Sequence, residues 1–529
     1  MIEVKAYDGL IRNYAELADE LGISIEGCTR RQREEKIIAA AFEKWGSQMG
    51  THLNGQFAFA LYDTQTERLF CARDILGAEL FFYYVTEDGK LLYGTQIKDL
   101  FDQTGFKRQL NQELVQFYLA FTYLPGEETL FEGVWKLEPG GYLTFDAQNG
   151  LKLGKYWELT FEPDDSKNLE QWADDLEAAM EASLSCVVDP DQTPDSFLSG
   201  GVDSSYILAK SRARCGVCAA YENQEASEED QARATAEYLG RQFEGVTVSP
   251  QEFLANVDEF LLAFELPTAD MAALSLYSAA KRMVGKSEVC FSGEGADEFF
   301  AGYSVYKSQG ALRKMLNPVY FGTTYIMNES EQARFVKDYC AKRSTTDFVK
   351  QRTEKARAAG YDELSLKLYT DMRTYFEGSI LYNSTKISRG TGLDIRMPYC
   401  DLRIFDIARR MPSCFKVSDD GNKLALRAAA SRVLPHEVAY RKKLGFPVPV
   451  RAWMATPEYA AEITRAFTSP VAEKFFNKEE ITALLDAFQG RKPGVHGMWY
   501  KRRTALLWRY VWTIYTFIRW YELFFGDQA

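Results

Sequence analysis

The sequence predicts an α/β protein in two parts, and three observations support this prediction. Residues 1–160 contain short β-rich runs separated by turns. After residue 165, helical periodicity alternates with short apolar strands, and from residue 305 onward the sequence is mostly helical. We therefore expect an antiparallel-sheet domain at residues 1–160 and, at residues 165–529, a doubly wound parallel sheet with a helical C-terminal part.

Turn signals at hairpin spacing predict antiparallel pairing in the first part. The predicted strands are Gln56–Tyr62, Arg68–Ala72, Leu80–Val85 and Gly141–Phe145. Helices are predicted at Arg33–Trp45 and Asn111–Phe121. The polar segment Glu162–Ser166 contains Pro163 and is the predicted linker.

The second part begins with apolar residues at helical spacing, from Trp172 to Leu184. Short apolar strands are predicted at 196–198, 217–221 and 289–291, which indicates a parallel sheet. The apolar segment Trp512–Phe525 carries Arg519 and Glu522, and it is too short and too charged to span a bilayer. We expect it to form a buried amphipathic helix.

Composition excludes several classes of protein. The chain has 529 residues and 46% of them are hydrophobic, which is enough for full cores and excludes a disordered chain. The formal net charge of −13, without a long basic run, disfavours a nucleic-acid partner. Nine scattered cysteines indicate reduced thiols. The polar start Met1–Lys5 gives no sign of a signal peptide, so we expect a cytoplasmic protein without a membrane partner.

The sharpest local signal lies between a predicted strand and a predicted helix, at Ser199-Gly200-Gly201-Val202-Asp203-Ser204-Ser205. Adjacent glycines let the backbone approach a ligand closely, and loop amides at a helix N-terminus bind anions. A carboxylate beside a phosphate requires a cation between them, so Asp203 implies Mg²⁺. A helix cap alone would explain one polar residue and one glycine, but not the whole run. The Gly-Lys-Ser/Thr of a Walker loop is absent, which disfavours γ-phosphoryl transfer.

A second loop, Ser292-Gly293-Glu294-Gly295-Ala296-Asp297-Glu298, follows the strand predicted at 289–291. Ligands of open α/β sheets collect beyond the carboxyl ends of the strands, so we expect the two loops to face one site. Asp297 would join Asp203 in a two-carboxylate Mg²⁺ site. Glu294 would be left for proton transfer.

Several segments resemble one family. The first loop resembles the SGGxDSS loop of PP-loop ATP pyrophosphatases, and Ser292–Tyr303 resembles the SGEGxDExFxGY motif of asparagine synthetases. Asp394–Asp401 and Arg441–Pro449 resemble that family's E-x-R-x-P-F-L-D and R-K-K-x-G-F-x-x-P elements. Two N-terminal segments resemble its glutaminase domain, Leu53–Asp63 and Ala72–Gly77.

The resemblance implies a fold, a reaction and a set of site residues. The fold is an Ntn-hydrolase-like αββα domain followed by an adenine nucleotide α-hydrolase-like domain. The reaction uses ATP and Mg²⁺ to adenylate a carboxylate, releases pyrophosphate, and forms an amide with ammonia. Glu294 and Lys443 are implied as catalytic, with Lys443 stabilising the charge of the departing pyrophosphate. Substrate contacts are implied for Asp270, Arg396 and Asp401. Contacts with ATP or pyrophosphate are implied for Leu198, Ser199, Gly200, Gly201, Asp203, Ser204, Ser205, Ser292 and Gly293.

The sequence departs from the family where glutamine would bind. The family begins Met-Cys-Gly and uses that cysteine as nucleophile, whereas this sequence begins Met1-Ile2. Against a complete family domain we expect about 60 residues to be missing. Leu10 and Gln32 also stand where the family has acidic contacts with glutamine. We expect an incomplete glutaminase domain that does not hydrolyse glutamine.

An incomplete sheet exposes strand edges, so we expect a glutaminase or other protein subunit, or a second copy of the chain, as a partner. Three functions stay open. The first is asparagine formation from aspartate and ammonia. The second is closure of an amide, isopeptide or lactam bond in a natural product. The third is a non-catalytic scaffold or regulator, which the intact Asp203, Glu294, Asp297 and Lys443 argue against.

Overall fold

Three β-sheets organise the described part of the chain. The computed structural model describes residues 1–221, 228–307, 319–419, 421–442 and 448–526. In chain order the strands are β1 (Ile2–Ile11), β2 (Gly55–Asp63), β3 (Arg68–Arg73), β4 (Phe82–Val85), β5 (Leu91–Gly94), β6 (Trp135–Lys136), β7 (Gly141–Asp146), β8 (Gly150–Lys155), β9 (Asp195–Phe197), β10 (Cys215–Tyr221), β11 (Gln242–Val248), β12 (Val289–Phe291) and β13 (Asp394–Arg396).

The N-terminal part contains two antiparallel sheets, as the turn spacing predicts. The larger has the order β1-β2-β3-β7-β8 and the smaller the order β5-β4-β6. Alternation along β2 explains why the larger sheet is covered on both faces. Phe57 and Phe59 enter a core shared with the C-terminal part, whereas Ala58 and Ala60 pack towards the smaller sheet through Phe81.

The C-terminal part contains a parallel sheet of order β11-β10-β9-β12-β13. From β9 the chain winds outward through β10 and β11, then returns to the other side of β9 to add β12 and β13. The winding therefore reverses between β9 and β12. In open α/β sheets this reversal leaves a crevice at the carboxyl ends of the two strands, where ligands bind.

Helices cover the sheets and form the rest of the C-terminal part. A π-helix spans Met372–Leu381. Among the described residues, no helix combines the length and the apolarity that a membrane crossing requires. The α-helices are Tyr14–Leu21, Arg30–Trp45, Val115–Phe121, Leu169–Cys186, Val202–Lys210, Glu228–Tyr238, Pro250–Ala255, Val257–Phe264, Met271–Met283, Ala296–Phe300, Glu329–Phe335, Thr345–Ala358, Glu363–Asp371, Tyr382–Thr391, Leu402–Arg410, Leu424–Ala430, His436–Ala439, Val450–Trp453, Pro457–Phe467, Pro470–Phe475, Lys478–Phe488, Gly497–Arg502 and Leu507–Phe525.

The two parts are packed against each other rather than joined only by a linker. The helix Leu507–Phe525 contains the predicted amphipathic segment and packs on the N-terminal part, where the Tyr118 and Phe517 ring centroids are 6.1 Å apart. A buried charge cluster also spans both parts. Arg73 Nη1 and Lys136 Nζ each lie 2.8 Å from Glu377 Oε1. Although burial raises the pKa of Glu377, the two cations hold it at about 2.

Candidate active site

The first loop closes on itself at the carboxyl end of β9. Ser199 N donates to Ser204 Oγ at 3.1 Å, and the two serine hydroxyls are 3.2 Å apart. Gly200 has φ +71°, and a Cβ there would lie 3.0 Å from the backbone nitrogen of Ala232, so this turn requires glycine. The helix Val202–Lys210 follows at once, and its first amides point out of the loop.

The second loop lies beside the first, as the sequence predicts. A Cβ on Gly293 would stand 3.5 Å from the Cβ of Asp203. Ser292 Oγ donates to Glu294 Oε1 at 3.3 Å, and the Glu294 side chain is half-buried. The crevice between β9 and β12 therefore brings Glu294 and both predicted metal-binding carboxylates to one place.

A lysine that the sequence did not single out bridges the two loops. Lys423 Nζ lies 2.6 Å from Asp203 Oδ2 and 2.6 Å from Asp297 Oδ1, and the lysine side chain is only 2% exposed. Gly302 allows this approach, because a Cβ there would overlap Asp297 Oδ1 at 1.7 Å. One oxygen of the first loop's carboxylate, Asp203 Oδ1, is buried without a hydrogen-bond partner in the described structure.

Two further side chains hold the first loop from outside. The Tyr399 hydroxyl donates to the Asp203 carbonyl at 3.1 Å, and Arg441 Nη1 donates to the Gly200 carbonyl at 2.6 Å. Both lie in segments that resemble family elements, but the sequence did not indicate that they reach the first loop. Tyr399 is completely buried, and burial raises its pKa well above the usual range, so the hydroxyl keeps its proton.

A buried acid lies immediately behind the second loop. Burial and the neighbouring Asp297 and Glu294 carboxylates raise the pKa of Glu298 to about 8, so this acid is mostly neutral at pH 7. The Tyr303 hydroxyl donates to Glu298 Oε1 at 2.6 Å. The sequence includes Glu298 in the second loop but does not indicate that its charge differs from that of its neighbours.

The remaining predicted site residues have structural partners. Asp270 caps the helix Met271–Met283 through Oδ1, which accepts from the backbone nitrogens of residues 272 and 273. Arg396 is 3% exposed and pairs with Asp394 at 2.5 and 2.9 Å. Asp401 is fully buried and accepts from Arg403 and from Asn54 of the N-terminal part. Lys443 lies outside the described residues.

Comparison with known proteins gives matches over both parts of the chain. The family described as "Asparagine synthase" matches residues 175–522, and "Glutamine amidotransferase domain" matches residues 3–157. Asparagine synthetase [glutamine-hydrolyzing] 1 of Bacillus subtilis is 27% identical over 98% of this chain and 85% of its own length. A putative asparagine synthetase [glutamine-hydrolyzing] of Mycobacterium tuberculosis H37Rv is 30% identical over 86% of this chain and 76% of its own.

The likeness to one solved structure is weak. Glutamine phosphoribosylpyrophosphate amidotransferase from B. subtilis has a TM-score of 0.22 at 12% identity, over 46% of this chain and 45% of that one. We draw no conclusion from that likeness.

The parallel sheet carries both loops at the point where the direction of its winding reverses. Together with these relatives, this arrangement defines the class of protein, an ATP-dependent amide-forming ligase. The chain belongs to the asparagine synthase family, as its motifs predict.

Proposed function

We propose that this protein adenylates the side-chain carboxylate of aspartate with ATP and then transfers ammonia to it, forming asparagine, AMP and pyrophosphate. The observation that carries the proposal is the contact between the two strand-end loops, with Asp203, Asp297 and Glu294 gathered around Lys423. A scaffold protein would not need two buried carboxylates to share one cation at a ligand-binding crevice, since burying charges is costly.

The first loop would hold the phosphates of ATP. Its backbone amides and the N-terminus of the helix Val202–Lys210 supply donors and a positive partial charge. Ser205 Oγ is fully buried and has no hydrogen-bond partner among the described residues, so it is free to serve a ligand. Lys423, and Lys443 by family resemblance, would stabilise the negative charge that develops as pyrophosphate leaves.

Mg²⁺ fits the carboxylates of the site. Asp203 and Asp297 are close enough to share one cation, and Asp203 Oδ1 lacks a partner in the described structure. Among those residues, no group of three or more His, Cys, Asp or Glu side chains could hold a metal alone. Mg²⁺ often binds one or two carboxylates together with substrate phosphates. Bound there, it would neutralise charge on the phosphates.

Glu294 would act as the base of the second step. Ammonia attacks the acyl carbon of the adenylate, a C–N bond forms, and the bond from that carbon to the AMP oxygen breaks. The proton lost by the attacking nitrogen passes to the Glu294 carboxylate, which is half-buried at the edge of the crevice. Ser292 Oγ donates to the same carboxylate and would orient it.

Free ammonia, or ammonia delivered by another protein, is the proposed nitrogen source. Leu10 is 5% exposed and offers no hydrogen-bond acceptor where the family has a glutamate. Gln32 already serves as a helix cap: its Oε1 accepts from Thr29 N at 3.0 Å, and its own backbone N donates to Thr29 Oγ1. Neither position supports binding of the glutamine ammonium group.

One assay tests substrate and nitrogen source together. AMP release is measured with aspartate and ammonium, with aspartate and glutamine, and with aspartate alone. We expect asparagine and AMP in equal amounts with ammonium, and no glutamate from glutamine. Absence of AMP with aspartate at every ammonium concentration would overturn the proposed substrate, and glutamate formation would overturn the proposed nitrogen source.

A further inference from the structure

Three polar side chains near the second loop have no role in the proposed reaction steps. They are Asp270, Asn383 and Arg509, and we call them the acceptor cluster. Asn383 Nδ2 donates to Asp270 Oδ2 at 2.9 Å and approaches Ser379 Oγ at 3.5 Å. The contact joins the N-terminus of the helix Met271–Met283 to the start of the helix Tyr382–Thr391.

Asn383 carries an acceptor that nothing in the described structure satisfies. Its side chain is 6% exposed, and its Oδ1 is buried without a hydrogen-bond partner among the described residues. Buried amide oxygens are normally paired, so an unpaired one indicates a ligand donor. The Asp270 carboxylate, which accepts from Nδ2 of the same amide, adds negative charge nearby.

Arg509 provides the opposite charge. It lies near the start of the helix Leu507–Phe525, and its guanidinium forms no ion pair or side-chain hydrogen bond in the described part of the chain. Arg509 is eleven residues before Trp520, which is three helical turns, so both lie on one face of the helix. Trp520 Nε1 donates to the Glu265 carbonyl at 2.8 Å, so this face is turned towards the segment that leads to Asp270.

The charges of Arg509 and Asp270 act on each other. Burial raises the pKa of Asp270, and its hydrogen bonds and the Arg509 charge lower it. Burial lowers the pKa of the guanidinium, and Asp270 raises it. A half-buried arginine whose charge is balanced, among the described residues, by one carboxylate is suited to pair with an anionic ligand.

Tyr375 links the acceptor cluster to the reaction centre. Its ring centroid lies 6.1 Å from that of Tyr303, whose hydroxyl donates to Glu298 of the second loop. Burial raises the pKa of Tyr375, and the Asp270, Glu298 and Glu294 carboxylates raise it further. The Tyr375 hydroxyl therefore lies in the field of both the cluster and the second loop.

We propose that the acceptor cluster binds the amino-acid backbone of the carboxylate substrate, with Arg509 pairing with the α-carboxylate and with Asp270 and Asn383 Oδ1 accepting from the α-ammonium. The inference rests on the proposed function and deepens it. It restricts the substrate class to α-amino acids with a free backbone and a second carboxylate on the side chain. A peptide-bound acidic residue has neither the α-carboxylate nor the α-ammonium charge, so it would lose the charge pairing with Arg509 and with Asp270.

The test combines a variant that lacks the Arg509 guanidinium with substrate analogues that each lack one group of aspartate. Pyrophosphate exchange is measured with aspartate, with β-alanine, which lacks the α-carboxylate, and with succinate, which lacks the α-amine. For Arg509→Met we expect KM for aspartate to rise about 10–100-fold, because a charge-assisted contact is lost, while KM for ATP is unchanged. Any pyrophosphate exchange with β-alanine should be unaffected by Arg509→Met, because β-alanine has no α-carboxylate to pair with the guanidinium. Arg509→Lys should restore part of the loss, and Arg502→Met, at an exposed arginine, should behave as wild type.

The outcomes distinguish a failure of the proposed function from a failure of the cluster assignment. If the wild-type protein shows no exchange with aspartate, the proposed function fails and the cluster assignment fails with it. If wild-type exchange occurs and Arg509→Met leaves KM for aspartate unchanged, the cluster assignment alone is overturned. Should Arg509→Met fail to fold, Asn383→Leu is decisive. Asn383→Leu must lower the ratio of pyrophosphate exchange with aspartate to exchange with succinate. An unchanged ratio overturns the assignment.

Discussion

Replacing Lys423 with methionine removes the cation shared by the two loops at nearly constant side-chain volume. Lys423 is 2% exposed, and its partners Asp203 and Asp297 are 16% and 12% exposed, so both ion pairs are mostly shielded from water. Without the ammonium group, two carboxylates face each other in a poorly solvated crevice. Breaking a buried pair in this way costs about 3–5 kcal/mol.

Urea unfolding measures that cost. Repeating the measurement with Mg²⁺ tests whether the cost comes from the two carboxylates. A divalent cation bound between the carboxylates would replace the lost charge, so Mg²⁺ should stabilise Lys423→Met more than wild type. A ligand at one hundred times its Kd contributes about 2.7 kcal/mol. The matched control is Lys355→Met, which removes a 2.5 Å pair with Glu158 whose members are 71% and 48% exposed. That pair should contribute less than about 1 kcal/mol.

The reasoning would be refuted by two results together. One is a Lys423→Met protein as stable as the Lys355→Met control. The other is an equal response of both variants to Mg²⁺. Such results would show that the carboxylates of the crevice do not depend on a shared cation.

Three other predictions follow from particular contacts. Tyr399→Phe removes only the hydroxyl that holds the first loop, which is proposed to bind the phosphates of ATP. In exchange kinetics, KM for ATP should therefore rise by about 2–10-fold while KM for aspartate stays constant, and equal rises in both would contradict the contact's role. Glu377→Gln should lower the free energy of unfolding near pH 7. The pKa of Glu377, about 2, lies below that of an unfolded glutamate, so its contribution is full above pH 5 and is lost as the pH falls towards 2. The difference in the free energy of unfolding between Glu377→Gln and wild type should therefore shrink from pH 6 to pH 3. A constant difference would argue against the charge cluster. Residues 1–160 alone should associate or aggregate, because much of their core is completed by the C-terminal part, and a monodisperse monomer with cooperative melting in light scattering and calorimetry would contradict this.

Local signals in the sequence were enough to predict much of this fold. The two loops, the strand at Val289–Phe291 and the C-terminal amphipathic helix appear where their patterns predict them. Some boundaries differ by a few residues. The strand β4 begins at Phe82 rather than Leu80, because Leu80 and Phe81 are buried core residues that extend the apolar run beyond the strand. The helix predicted from Asn111 begins as a 3-10 helix at Gln112–Leu114 and is α-helical from Val115.

Elements with weak local patterns were missed. The strand β1 was not predicted, because it lies at a sheet edge and its residues are mostly half-exposed, which removes the strict alternation that marks a strand. The strand β13 is only three residues long and was recognised as a motif rather than as a strand. The edge strand β11 contains Gly245 and was also missed.

The parts of the site that the sequence did not indicate depend on distant contacts. Lys423 follows Asp203 by 220 residues, and a lysine before a short helix has no local feature that sets it apart. Its left-handed φ of 55° is visible only in the structure. Asn383 and Arg509 likewise become candidates only when the fold shows an unpaired amide oxygen and a guanidinium without a partner among the described residues.

Transfer of ¹⁸O tests the central claim most directly. The protein is incubated with ATP, ammonium and aspartate labelled with ¹⁸O in the side-chain carboxylate, and the AMP is examined by mass spectrometry. An acyl-adenylate leaves one carboxylate oxygen on the phosphate when ammonia displaces AMP, so we expect AMP with one ¹⁸O per asparagine formed. Unlabelled AMP, or ADP in its place, would contradict the account.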